Sequence, residues 1–593
     1  MSETKTVAQI GLNPITREIV QNALASAADE MALALYRTAY STIVRDCLDY
    51  STSLCDENGR MIAQGITIPL HLGSVPAAME ALFRRFGDDI APDDVFIMND
   101  PFDGGMHIPD IFIIKPLFLE SQRVGFAVST AHHSDLGGRL PGSSACDNTE
   151  IFQDGFRIPW LKLYRGGVPD ESILSLLQAN VRVPRTTIGD IRAQISACKI
   201  GERAIQELIA RYGLLTFRAC LNDLIDYTEQ CLRAEIASWP DGSYEFTDYM
   251  DSDGVGGPAV QIHVTLTVAG DRLTADFTGS SPQVRGAINC TYSFVSAVVA
   301  FCVRAVMRQD VPNTEGLFRP LHIIAPEGSL VNVRMPGASS MRGITGFRMI
   351  DAVFGALAKM LPDRVFAAGE GGNTLVILGG TTENAGEQTP FVYYELMSGT
   401  WGARPDRDAN DGLCNIASIG SNIPVEQAEV EYPVRIERYG YVRDSGGPGQ
   451  FRGGLSIERE WTLLASEAHL AIRSDRRDHL PYGLQGGHPG TASINILHHT
   501  DGRGPEVLPT MISTSMQNGE RIYHRQAGGG GFGDSLLRDP ERVARDVRNE
   551  RVSLQAAREQ YGVVLDAETG ALDTFATAAL RQERRSSPRR RES

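Results

Sequence analysis

Residues 95–133 read VFIMNDPFDGGMHIPDIFIIKPLFLESQRVGFAVSTAHH, and the rest of the chain is best read outward from them. Three apolar runs, 95–98, 111–118 and 124–130, are short, rich in Val, Ile and Phe and bounded by turn residues, so each reads as a buried strand. Chemistry-bearing side chains sit at their ends. His107 and Asp110 come just before the second run, and His132 and His133 just after the third. Pro109 and the pair Gly104-Gly105 argue against a helix and place His107 and Asp110 on a loop. Loops at the ends of rigid strands are where a scaffold usually carries function.

Upstream, Asp49 stands in Leu48-Asp49-Tyr50-Ser51-Thr52-Ser53-Leu54, whose partial alternation suits a half-buried strand. The turn Asp56-Glu57-Asn58-Gly59 joins it to 60–63 as a hairpin. Earlier still, Asn13 as N-cap, Pro14 at the first helical position and Ile19, Ala23, Ala27, Met31 and Leu35 at i+4 spacing predict a helix over 14–40. Further helices are expected over 75–86, 172–177, 189–212 and 214–238. Near residue 240 the texture changes to strands, at 244–247, 260–268 and 273–277, with helices at 297–307 and 349–361. Residues 375–535 are rich in glycine and strands, among them 431–442 and 470–473, and 540–561 is a charged amphipathic helical segment. The fold class is therefore α+β or mixed α/β, and multidomain. The expected regions are 1–240 with helices, strands and the candidate site, 241–535 strand-rich and Gly-rich, 536–580 helical, and 581–593 a basic disordered tail.

At 593 residues, 42% apolar and 22% charged, the chain has a globular composition and exceeds one ordinary core. A net charge of −17 argues against nucleic acid as a partner. The longest apolar stretch, 294–303, stops at Arg304, about half a membrane span. Residues 1–14 hold no apolar run of the kind a signal peptide needs. The nine cysteines show no C-x-x-C and no framework spacing, so they read as reduced packing thiols in a cytoplasmic protein.

Histidine and carboxylate together suit a borderline divalent cation, and catalytic sites of this kind keep a position open for water. Asp49, His107, Asp110 and His132 offer such a set, with two carboxylates to neutralise the ion. His133 would face the opposite side of an extended segment, as a supporting donor or a core histidine. On spacing alone, a loop hydrogen bond remains the simpler account of His107 and Asp110. His71, in Ile68-Pro69-Leu70-His71-Leu72-Gly73-Ser74, is an acid/base candidate or a turn histidine. The glycine runs 369–374, 444–454 and 527–534 lack the Lys-Ser/Thr of a phosphate loop and read as tight turns. No Walker motif, Rossmann fingerprint or G-x-S-x-G appears, so neither a nucleotide site nor a serine nucleophile is expected in this chain.

Several ordered blocks together resemble one family. Asn99-Asp100-Pro101-Phe102-Asp103-Gly104-Gly105-Met106-His107-Ile108-Pro109-Asp110 is similar to its NDPxxGGxHxPD signature, and Ala131-His132-His133-Ser134-Asp135-Leu136-Gly137-Gly138 to its HHxDxGG element. Blocks at 14–40, 68–74, 429–433, 444–454 and 527–534 match as well, so the likeness spans about residues 8–565. The family is that of hydantoinase B and 5-oxoprolinase, which also includes caprolactamase and the acetone and acetophenone carboxylase subunits. One departure is Asp46-Cys47-Leu48-Asp49-Tyr50-Ser51, where relatives often carry Glu-Arg-x-Asp-Phe-Ser; the aspartate is kept. The resemblance implies a metal-dependent B subunit in a hetero-oligomer with a larger A-type subunit that binds and hydrolyses ATP. It implies a divalent metal, zinc first, with manganese or iron as alternatives, held by Asp49, His107, Asp110 and His132. The implied substrate is a small cyclic amide: a hydantoin, oxoproline or lactam. His71, Asp135 and Glu150 are then the candidates for moving protons. An ATP-dependent ketone carboxylase subunit and a non-catalytic scaffold are the alternatives.

Overall fold

The three apolar runs lie at the centre of a seven-stranded antiparallel sheet. Its order is Met61–Gln64, Tyr50–Asp56, Gln122–His132, Asp110–Leu119, Val95–Met98, Leu161–Arg165 and Val168–Pro169. An antiparallel sheet commonly wets one face and alternates in sequence. Here helices cover both faces, which is why the strands read as continuous apolar runs. Cys198 of helix Pro184–Tyr212 packs on one side, its Sγ 3.6 Å from Ala127 O. On the other, Phe83 of helix Val75–Phe86 meets Phe126 edge-on, with ring centroids 5.5 Å apart.

The computed structural model describes residues 13–371, 374–384 and 386–586. The expectation about a leader at 1–12, positions 372 and 373 of one glycine run, and 587–593 of the basic tail lie outside them. Three further sheets, two of four strands and one of five, follow residue 240, giving the mixed helix-and-sheet architecture expected. A contiguous apolar core runs from Val20 to Ile522, across the change of texture near 240. Among the described residues, no helix is long and apolar enough to cross a membrane. All nine cysteines are free.

The first helix is Pro14–Thr38, with the Asn13 side chain accepting from Ile15 N at 3.0 Å. Its buried stripe is Val20, Leu24, Ala27, Ala28, Met31, Ala32 and Leu35, whereas Ile19 is exposed. Each i+4 step advances about 40° round the helix, so a series anchored on Leu35 has turned away from the core by Ile19. The helix expected at 349–361 begins seven residues earlier, as Arg342–Met360. All its residues but Lys359 are buried, so an amphipathic pattern could not mark its start.

Other expectations need correction. The strand expected over 431–442 is present as Val434–Tyr441, but its first residue, Glu431, ends a helix, Val425–Glu431, that was not expected. The segment 540–561 is two helices, Pro540–Arg548 and Leu554–Tyr561, separated where Glu550 adopts φ 58° and Ser553 caps the second. Residues 581–586 of the expected disordered tail end the helix Thr574–Ser586, and Arg581 donates to Tyr561 O at 3.0 Å and Arg538 O at 2.7 Å.

The run Gly528–Gly531 is not a tight turn. Its four amides donate to Thr491 O, Gly454 O, Ala368 O and His488 O, at 2.8–3.0 Å. A Cβ on Gly530 would lie 2.1 Å from Tyr482 O, so the backbone is enclosed by other backbones on every side.

Candidate metal centre

Asp110 opens one central strand and His132 closes the next, and the two are register partners. Opposed residues of an antiparallel pair project on the same face, so carboxylate and imidazole stand side by side at the end of the sheet. His107 comes from the turn before, where Asp110 N donates to His107 O at 3.2 Å. Asn99 pins this turn: its Nδ2 donates to Ile108 O at 2.7 Å and Phe156 O at 3.1 Å, and its Oδ1 accepts from Ile158 N at 2.6 Å. Asp49 immediately precedes the strand Tyr50–Asp56, and its carbonyl accepts from His132 N at 3.0 Å.

His107, Asp110 and His132 each present a ligand atom within 4.8 Å of the others'. Three buried polar atoms of this trio, His107 Nε2, Asp110 Oδ1 and His132 Nδ1, have no hydrogen-bond partner. His107 Nδ1 lies 3.1 Å from Ser340 O. A carbonyl only accepts, so Nδ1 carries the hydrogen and Nε2 carries a lone pair. That lone pair lies 3.1 Å from Asp110 Oδ2, an oxygen that also accepts from Arg342. The donor set therefore fits a borderline divalent ion.

Asp49 and His71 line the same cavity but stand outside the tight trio. His71 Nε2 is 3.4 Å from Asp49 Oδ1 and 3.8 Å from Asp110 Oδ1. Its Nδ1 is 3.1 Å from Ser51 Oγ, whose own hydrogen goes to Ile68 O at 2.9 Å. His71 Nδ1 is thus the donor, and its Nε2 faces the carboxylates as a base.

Burial sets the ionisation of the group. It holds His71 neutral down to about 4. It also lowers His107, helped by Arg342, and lowers His132 well below the usual range, helped by His107. Burial and the charge of Asp110 push Asp49 up to about 8. Burial would raise Asp110 too, but His107, His71 and Arg342 outweigh it and hold that carboxyl well below its ordinary value. The site offers neutral imidazoles beside an ionised carboxylate, the protonation states a cation needs.

His133 points the other way, its Nε2 3.2 Å from Gln194 Oε1 on helix Pro184–Tyr212, as a core histidine. The structure does not bring Asp135 or Glu150 to the cavity. Asp135 clamps a loop, accepting from Gly142 N at 3.0 Å, Gly137 N at 3.1 Å, Arg182 N at 2.8 Å and Arg182 Nη1 at 3.0 Å. Glu150 is half-buried at the N-cap of the helix Ile151–Asp154.

Three residues that line the cavity were not singled out from the sequence: Arg342, Tyr394 and Arg473. Arg342 Nη2 lies 2.5 Å from Asp110 Oδ2, its guanidinium 4.1 Å above the Phe294 ring. Tyr394 OH is 3.1 Å from His132 Nε2 and 3.3 Å from Ser144 Oγ. Their signal is faint: Arg473 ends the apolar run 470–472 and Arg342 opens a helix in which every residue but Lys359 is buried.

The family model described as hydantoinase B/oxoprolinase matches residues 13–535. The caprolactamase subunit beta of Pseudomonas jessenii is 35% identical over 586 residues, which is 96% of this chain and 99% of that protein. The crystal structure of ATP-dependent caprolactamase from Pseudomonas jessenii matches with TM-score 0.88 and 33% identity, over 97% of this chain and 100% of that one. A nucleotide-free structure of acetone carboxylase matches with TM-score 0.89 over 98% of this chain and 84% of that one, but at 21% identity this is a likeness of fold. On the length of the family match and the identity to the caprolactamase subunit, the chain belongs to the hydantoinase B/oxoprolinase family.

Proposed function

We propose that this chain is the metal-holding subunit of an ATP-dependent cyclic amidase, opening the ring amide of a hydantoin, oxoproline or lactam together with an ATP-binding partner subunit. The observation that carries the proposal is that His107, Asp110 and His132 each bring a ligand atom within 4.8 Å of the others' and each keep a buried polar atom without a hydrogen-bond partner. The kinship with a subunit of a caprolactamase whose structure is described as ATP-dependent supports the substrate class and the partner.

His107, Asp110 and His132 would hold the ion, with Asp49 as the fourth candidate and zinc the first choice of metal. When bound, such a cation supplies Lewis acidity for an amide carbonyl or a water of lowered pKa. The surrounding side chains prepare the site. Ser340 O fixes the His107 tautomer, Tyr394 orients His132, and Arg342 engages the second oxygen of Asp110. His71 is placed to take a proton at Nε2, which stands 3.4 Å from Asp49 Oδ1. Ring amides resist water because resonance weakens the carbonyl electrophile and makes nitrogen a poor leaving group; ATP consumed by the partner would overcome that resistance.

Elemental analysis of the purified chain, beside the double variant His107→Ala/Asp110→Ala, tests the site. The expected result is about one zinc, manganese or iron per chain, lost in the variant. Protein that is metal-free and refuses added metal would remove the proposal.

A further inference from the structure

The candidate metal cavity has a free volume of about 40 Å³, room for an ion and roughly one or two waters. A substrate ring needs more space than that. A second cavity of about 330 Å³ adjoins it, within the size range of small-molecule sites, roughly 300–1,000 Å³. The two share Ser418. The same short segment lines both: Ile68, Leu70 and His71 on the first, Thr67, Pro69 and Gly73 on the second. Successive turns of helix Tyr292–Val306 do likewise, with Phe294 at the first and Ala297, Ala300 and Phe301 at the second.

The wall of the second cavity is mainly apolar, with Ile66, Ala300, Phe301, Leu317, Phe318 and Ile419 among its residues. Ile66 is 81% exposed at this cavity, an unusual place for a β-branched apolar side chain unless something covers it. The charged residue on this wall is Arg304. It is already engaged by Asp310 at 2.5 Å, Val311 O at 3.0 Å and Asn313 Oδ1 at 3.2 Å. These bonds hold its Nε and Nη2, and the surrounding apolar wall offers a matching surface to an alkyl or aryl group and little to a carboxylate.

We infer that this second cavity seats an apolar substituent of the ring, so that the chain takes cyclic amides bearing an alkyl or aryl group in preference to rings bearing a carboxylate. The inference rests on the cyclic-amide reading above. The ring amide itself then sits at the junction beside Ser418, with its carbonyl toward the candidate ligands.

The test is isothermal titration calorimetry on the full-length zinc-loaded chain with two probes that share a ring, 5-isobutylhydantoin and 5-(carboxymethyl)hydantoin. Burial of the isobutyl carbons should give it about tenfold or greater advantage in affinity. Ala300→Trp fills the cavity and Ile419→Asp places a carboxylate on its wall; each should bring the two affinities to within about threefold of each other. Ile419 is only half-buried, so its variant decides the matter if the Ala300 variant does not fold. Equal affinities in the parent chain, or a preference that survives a folded variant, would overturn the inference and leave the cyclic-amide reading standing. A zinc-loaded chain that binds neither ring overturns both.

Discussion

Replacing Arg342 by Met keeps most of the side-chain volume and removes the charge that faces Asp110. The pair is 2.5 Å apart, with Arg342 5% and Asp110 0% exposed. At that distance an effective dielectric near 20 gives a gross attraction of about 7 kcal/mol. The measurable loss is smaller, since removing one partner of a buried pair typically costs about 3–5 kcal/mol. The contact with the Phe294 ring adds about 1–2 kcal/mol to that. These figures apply to the metal-free chain, where Asp110 would be left without its strongest cation. With a divalent ion on the trio, Asp110 keeps a positive neighbour and the ion loses a competing charge. The destabilisation should therefore shrink, by something like half.

Linkage turns this difference into an affinity. If the loss falls from about 4 to about 2 kcal/mol when metal binds, Arg342→Met must bind the metal roughly thirtyfold more tightly. Competition against a chromogenic chelator measures the zinc affinity of both proteins directly. Urea unfolding of the chelator-treated and zinc-loaded forms closes the cycle. An equal loss of stability in both forms, or weaker zinc binding by the variant, would refute the reasoning and separate Arg342 from the metal.

Two further outcomes are expected. His71→Asn keeps a donor for Ser51 Oγ and removes the base at Nε2; metal content should be unchanged while turnover with the ATP-hydrolysing partner falls about 10²–10⁴-fold, and full turnover would exclude His71 from proton transfer. His524, far from the cavity in sequence and bonded through Nδ1 to Asn495 Oδ1 at 2.6 Å, is held neutral by burial, with Arg477 and Arg525 adding to the effect, down to about 3. Because its folded value lies below the unfolded 6.5, its contribution is complete above pH 6.5 and is lost as the pH falls toward 3, amounting to roughly 4–5 kcal/mol. His524→Gln should flatten that limb of a urea-midpoint profile between pH 6.5 and 3, and an unchanged slope would show that other groups carry it.

The parts legible in the sequence were those where a local pattern and a chemical anomaly coincide. His and Asp at the ends of apolar strands stand out because buried strands seldom carry them, and the structure gathers His107, Asp110 and His132 at one sheet end. Arg342, Tyr394 and Arg473 arrive from far along the chain. Nothing local distinguishes a tyrosine in the strand Glu387–Met397 from any other strand aromatic until tertiary packing sets its hydroxyl beside His132. Asp135 misled for the opposite reason. It lies three residues from His132 in the same block, yet the chain turns at Gly137 and Gly138, and its carboxylate is taken up by Arg182 and loop amides. The glycine run 527–534 misled because turns and close approach call for the same residue, and only the surrounding backbones tell them apart.

Those surrounding backbones also set an order of assembly. Ala368, Gly454, His488 and Thr491 each hold a carbonyl for an amide in Gly528–Gly531, while Gly447, Ala403 and Leu484 donate to the carbonyls of Gly529, Gly530 and Gly531. Every one of these partners leaves the ribosome before the four glycines do. This region must therefore wait, open along its middle, for a short rod synthesised near the end of the chain. A nascent protein halted before residue 528 would hold the amides and carbonyls of these loop segments with none of their glycine partners.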